Sequence, residues 1–169
     1  MNLTLPNDRR IERLLLRFEI ESFNVAYAAA LDEQRLSDWA EMFTDDGSYV
    51  VVSRENAERH MPVGLIYCEN KGMIRDRAFA IAKTAMFAPR YMRHLISNLA
   101  VEEETVDGII RARANYVVVE VLLDRPDARL HQVGSYQDVF RRTEAGLRLA
   151  DRRCIYDNLL VPTALCLPV

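Results

Sequence analysis

The run Gly134-Ser135-Tyr136-Gln137-Asp138-Val139-Phe140, the break Arg141-Arg142-Thr143-Glu144-Ala145-Gly146 and the run Leu147-Arg148-Leu149-Ala150-Asp151-Arg152-Arg153-Cys154-Ile155-Tyr156 decide the fold. Both runs place β-branched, aromatic or aliphatic residues with a period near two, the signature of strands with one buried face. The break is polar, and Gly146 supplies the positive φ that a hairpin loop takes without steric cost. An apolar tail follows, from Asp157-Asn158-Leu159-Leu160-Val161-Pro162 to Leu165-Cys166-Leu167-Pro168-Val169. It is too short and too proline-broken to span a bilayer, and too apolar for water. It is therefore expected to pack, either on its own sheet or on another chain.

Upstream of this hairpin the same period recurs. Arg93 to Thr105, Ile109 to Asp124, Leu130 to Arg142 and Leu147 to Tyr156 read as four long strands. Val106-Asp107-Gly108 and Arg125-Pro126-Asp127-Ala128 separate the first three, and Asp-Gly between apolar runs is a strong hairpin signal.

Further upstream the period becomes helical. Asn7 to Leu31 forms the longest helix, with Asn7 or Asp8 as cap. Ile11, Leu14, Leu15, Phe18, Val25, Ala26 and Ala29 make one apolar stripe, and Leu16, Ile20, Phe23, Tyr27 and Leu31 make a second. A helix with this much apolar surface is expected to be covered on more than one side. A short helix starts at Ser37 and carries Trp39, Met42 and Phe43. Tyr49 to Val52 and Val63 to Cys68 read as strands, with Ser53 to Met61 as a loop between them. A helix from Glu69 to Ala85 follows. Helices first and an antiparallel meander after them define an α+β domain. One domain over residues 1–169 is expected, with 1–8 as a flexible arm.

Composition narrows function by exclusion. With 28% charged residues and a net charge of -3, the chain has ordinary globular composition and no basic excess for nucleic acid. Only Lys71 and Lys83 are lysines among 22 cationic residues. Arginine's planar fork suits interface ion pairs, although base composition of the genome produces the same bias. The three cysteines, Cys68, Cys154 and Cys166, form neither a disulfide framework nor a metal-binding spacing. His60, His94 and His131 lie in different elements, and nothing favours a metal site built from His94, His131 and Asp157. No GxSxG, P-loop or GxGxxG is present. Met1 to Pro6 has no basic region followed by an apolar run, so the cytoplasm is the expected compartment. No catalytic, cofactor-binding or metal-binding residue is expected on this chain.

Three further stretches complete the pattern. They are Phe18 to Phe23 with Ala28 to Asp32, then Trp39 and Met42 to Tyr49; Gly72 to Arg77 with Arg93 to Asn98; and Arg153-Cys154-Ile155-Tyr156-Asp157-Asn158-Leu159-Leu160-Val161-Pro162 with Leu165 to Pro168. With these residues the chain resembles the small (beta) subunits of bacterial aromatic-ring-hydroxylating dioxygenases over about residues 10 to 169. The resemblance implies a nuclear-transport-factor-2-like cone, in which N-terminal helices pack in a strongly curved, mostly antiparallel sheet. It implies trimerisation and an α3β3 hexamer with the large (alpha) subunit. That subunit would carry the Rieske [2Fe–2S] cluster and the mononuclear Fe(II), and a reductase or ferredoxin would feed it electrons. Tyr67 to Met73 and Met86 to Tyr91 look closest to oxygenases of aromatic acids such as anthranilate, salicylate or terephthalate.

On this reading Arg93, Arg152, Arg153, Tyr156, Asp157, Val161 and Pro162 belong to subunit interfaces. The competing expectation is a stand-alone isomerase or dehydratase, or a small-molecule binding module, of the same fold. Its pocket would draw on Tyr27, Tyr49, His94 and Asp157, where a tyrosine donor and a carboxylate base could work together.

Overall fold

The computed structural model describes residues 6–105, 107–160 and 167–169, without the side chains of residues 6–8 and 103. Its elements run α1 (Pro6–Asp32), α2 (Leu36–Glu41), β1 (Phe43–Ser53), α3 (Arg54–Glu58), β2 (Ile66–Cys68), α4 (Lys71–Lys83), β3 (Arg90–Glu104), β4 (Ile109–Leu122), β5 (Ala128–Thr143) and β6 (Gly146–Tyr156). The chain is α+β, as its periodicities predict. Helix α1 begins at Pro6, inside the stretch expected to be an arm. Arg54–Glu58, expected as loop, is helical because the Ser53 side chain caps it by accepting from the Asn56 amide.

The six strands form one sheet in the order β2-β1-β6-β5-β4-β3. From β3 to β6 the chain is the expected antiparallel meander. The addition is β1, which lies parallel to β6 with Tyr49 opposite Arg152 and Ser53 opposite Tyr156. Register shifts interrupt the β1–β6, β3–β4, β4–β5 and β5–β6 ladders. Such bulges bend strands and increase their twist, which curls the sheet around the helices. Gly146 turns the β5–β6 hairpin at φ 94. Gly134 answers a different demand: a Cβ there would lie 2.1 Å from the Ile155 carbonyl oxygen and 2.8 Å from the Tyr116 hydroxyl. Beyond β6, the Asp157 amide donates to the Val133 carbonyl, and the Asn158 side chain accepts from the Val133 amide. These bonds pin the start of the tail to β5.

Helix α1 crosses the inner face of the sheet. Leu16, Ile20, Phe23, Tyr27, Ala30 and Leu31, spaced for one helical face, turn inward. Phe23 packs edge-on against Phe140 of β5, and Tyr27 does the same with Tyr136. The opposite stripe is not covered as the sequence led one to expect. Ile11, Leu14, Leu15, Phe18 and Val25 remain exposed, Phe18 by 68% and Val25 by 70%. The core behind α1 also contains Trp39, Phe43 and Tyr49, three rings in mutual edge-to-face contact. Such pairs add to the area they bury.

Candidate functional site

Three polar clusters interrupt the apolar inner face. The first is fully enclosed. Alternation along β5 and β6 sends Asp138 and Arg152 inward as direct register partners. Arg152 Nε and Nη2 donate to the two carboxylate oxygens of Asp138 at 2.9 and 2.7 Å, and Nη2 also donates to Asn24 of α1. The guanidinium lies over the rings of Tyr27 and Tyr136, 4.1 and 4.2 Å from their centroids. Fork, carboxylate and rings together offset the cost of burying two charges. Burial pulls the Arg152 guanidinium down, but the Asp138 carboxylate outweighs it and holds the group well above its ordinary value. Arg152 is 0% exposed. Its expected place at a subunit interface is therefore wrong: one residue's alternation separates it from Arg153, and that step carries it into the core.

The second cluster joins β3, β4 and β5. Glu120 accepts from Arg90 Nη1 at 3.0 Å and from Arg129 Nη2 at 3.2 Å. His131 Nδ1 lies 3.6 Å from the same carboxylate, and neither ring nitrogen of His131 has a hydrogen-bond partner. The third cluster couples α1 to β3. Asp32 accepts from the His94 amide at 3.1 Å, and its Oδ1 lies 2.7 Å from His94 Nδ1. Asp32 and His94 line an open groove of about 700 Å³ between the helix and the strand.

These positions rearrange the expected pocket. Tyr27 and Tyr49 do meet, because both hydroxyls donate to one main-chain oxygen of Val169, at 2.9 and 3.0 Å. His94 faces Asp32 instead. Asp157 is out of place for the pocket: it is exposed and forms an ion pair with Arg54 of α3, Nη2 to Oδ1 at 2.7 Å. A carboxylate-histidine pair thus exists, but with Asp32, which the sequence analysis names only within the Ala28 to Asp32 stretch. The signal was its position at the close of an apolar helix, where a half-buried acid takes a partner from elsewhere. No three ligating side chains converge among the described residues. Of the expected interface set, Arg93 and Asp157 reach the surface, Arg153 and Tyr156 are half-buried, and Val161 and Pro162 lie outside the described residues. No helix among the described residues is long and apolar enough to cross a membrane.

What this geometry offers is a filled interior, two buried ion clusters used within the chain, and an exposed apolar helix face. Known proteins of similar sequence share this architecture. Residues 26–163 match the ring hydroxylating beta subunit family. The chain is 38% identical over 152 residues to the anthranilate 1,2-dioxygenase small subunit of Burkholderia cepacia, covering 90% of this chain and 93% of that one. It is 22% identical to a terephthalate 1,2-dioxygenase beta subunit of Comamonas sp, covering 92% and 100%. A crystal structure described as the beta subunit of an aromatic-ring-hydroxylating dioxygenase from Novosphingobium aromaticivorans superposes with a TM-score of 0.84 at 35% identity, over 93% of this chain and 99% of that one. The chain belongs to the ring-hydroxylating dioxygenase beta-subunit family, and its work is that of a small subunit in an oxidoreductase complex whose large subunit is a separate chain.

Proposed function

We propose that this chain is the non-catalytic small subunit of an oxygenase for an aromatic acid of the anthranilate, salicylate or terephthalate kind, stabilising an α3β3 hexamer in the cytoplasm. The observation that carries the reading is the 38% identity to an anthranilate dioxygenase small subunit over nearly the whole chain. On this reading the Rieske [2Fe–2S] cluster and the mononuclear Fe(II) belong to the large subunit, which receives electrons from a reductase, directly or through a ferredoxin. A Rieske centre takes two cysteines and two histidines, and a mononuclear iron of this kind two histidines and a carboxylate. The described residues of this chain do not fit either donor set, since His94 and His131 lie against different carboxylates.

The subunit's contribution is then surface. Arg93, Arg153, Tyr156 and Asp157, with Val161 and Pro162, form one part of the interface. The exposed α1 stripe from Ile11 to Val25 forms another, since soluble monomers rarely leave contiguous apolar patches in water. The test is co-expression with the large subunit, read by native mass and iron content. An iron-loaded α3β3 species is expected; a large subunit that assembles fully without this chain overturns the reading. Leu15→Glu with Phe18→Glu should give a folded small subunit that no longer joins the complex. Normal assembly by that variant removes α1 from the interface.

A further inference from the structure

The interior is occupied by the chain's own Leu167-Pro168-Val169 segment, and the way it is held is that of a bound ligand. Val169 is 0% exposed and Leu167 3%. Two hydroxyls from separate elements, Tyr27 of α1 and Tyr49 of β1, converge on one main-chain oxygen of Val169, the last residue of the sequence. The Val169 amide donates back to the Tyr49 hydroxyl at 2.9 Å, so that this hydroxyl serves as donor and acceptor to the same residue. The Cys154 thiol of β6 lies 3.6 Å from the same oxygen. The surrounding wall is not used up by these bonds. Trp39 Nε1, the Tyr136 hydroxyl and Arg152 Nη1 are buried without a hydrogen-bond partner. Tyr136 packs against Tyr27, Trp39 against Tyr49, and Arg152 covers both Tyr27 and Tyr136. Spare donors around an apolar chamber suit a guest that presents an acceptor oxygen on an aliphatic body.

We propose that the chamber formed by Tyr27, Trp39, Tyr49, Tyr136, Arg152 and Cys154 is a binding site for short apolar peptides, occupied in cis by Leu167-Pro168-Val169. Burial keeps the Tyr27 and Tyr49 hydroxyls protonated well beyond neutral pH, so both remain donors to whatever acceptor oxygen enters. The chamber is filled by the chain's own Leu167 to Val169. It also gives the tail a second role beside any interface role of the residues that precede it.

Trp39 is the only tryptophan, and its ring centroid is 5.2 Å from that of Tyr49, so its emission reports the occupant directly. Deleting Leu167 to Val169 should red-shift that emission and lower the melting temperature. Acetyl-Leu-Pro-Val should then restore both in a saturable titration, while acetyl-Leu-Pro-Lys should not, because a lysine ammonium would be buried beside the Arg152 guanidinium with no carboxylate to pair it. The full-length chain should ignore both peptides. A deleted chain that stays folded by circular dichroism and shows no response to the valine peptide overturns the proposal. Should the deletion fail to fold, amide exchange in the full-length chain decides the matter. Val169 should exchange slowly, and Tyr49→Phe should speed it by about fivefold to tenfold, the equivalent of one hydrogen bond. Fast exchange of Val169 in the unaltered protein overturns the proposal equally.

Discussion

At the scale of single residues, the core of this small subunit depends on groups that an apolar core would normally exclude. Asp138 and Arg152 are both buried and held by two parallel hydrogen bonds. Removing one member leaves an uncompensated charge, which costs about 3–5 kcal/mol in comparable buried pairs. Asp138→Ala should therefore lower the urea midpoint by that equivalent, with the m-value unchanged. His131 makes a pH-dependent contribution. Burial pulls its imidazole below the ordinary 6.5, Arg90, His94 and Arg129 act in the same sense, and only Glu120 opposes them. Between the folded value and 6.5 the unfolded chain carries the proton and the folded chain does not. Stability from this group is thus complete above pH 6.5 and declines as pH falls through that window. Urea midpoints from about pH 7.5 down to pH 5 should fall more steeply for the unaltered protein than for His131→Gln.

At the scale of elements, α1 and the β5–β6 pair set the architecture. The two apolar stripes of α1 look alike in sequence but differ in energetic weight. Ile20 is 0% exposed, and Ile20→Ala should cost about 2–4 kcal/mol through lost burial and the cavity left behind. Phe18, 68% exposed, should be replaceable by Gln within about 0.5 kcal/mol in the isolated chain. Thermal melts of the two variants check the contrast, and equal losses would mean that the outer stripe is covered within the monomer. In β5, Gly134→Ala should be far costlier than an ordinary strand substitution. The new methyl would overlap the Ile155 carbonyl oxygen and force β5 and β6 apart. Loss of cooperative unfolding, or a melting point lowered well beyond that of a surface variant, is the expected reading.

At the scale of the whole molecule, the sheet, the helix and the Leu167–Val169 segment close on one another, and the outer apolar helix face is left exposed. Local pattern determined much of this. Side-chain alternation marked β3 to β6, Asp107-Gly108 and Gly146 marked two of their turns, and helical spacing marked α1 and α4. Each is a property of residues a few positions apart, which the pleat or the helical turn itself dictates. The tail's apolar character marked it to pack, which Leu167 to Val169 do in the interior, whereas Leu159 and Leu160 stand 97% and 83% exposed. The rest needed the three-dimensional structure. No local signal pairs β1 with β6 across about a hundred residues, nor chooses the inner stripe of α1 over the outer one. Arg152 and Arg153 are adjacent and chemically identical, yet only Arg152 faces the interior. Asp157 looked like a pocket acid and is a surface ion-pair partner, while Asp32 meets His94 across 62 positions. The tail's berth between Tyr27 and Tyr49 is of the same kind. Alternation and periodicity fix where side chains point relative to their own backbone. Which groups they meet is set by the burial and hydrogen bonding of the assembled sheet, where a buried charge or carbonyl is tolerated only beside its partner.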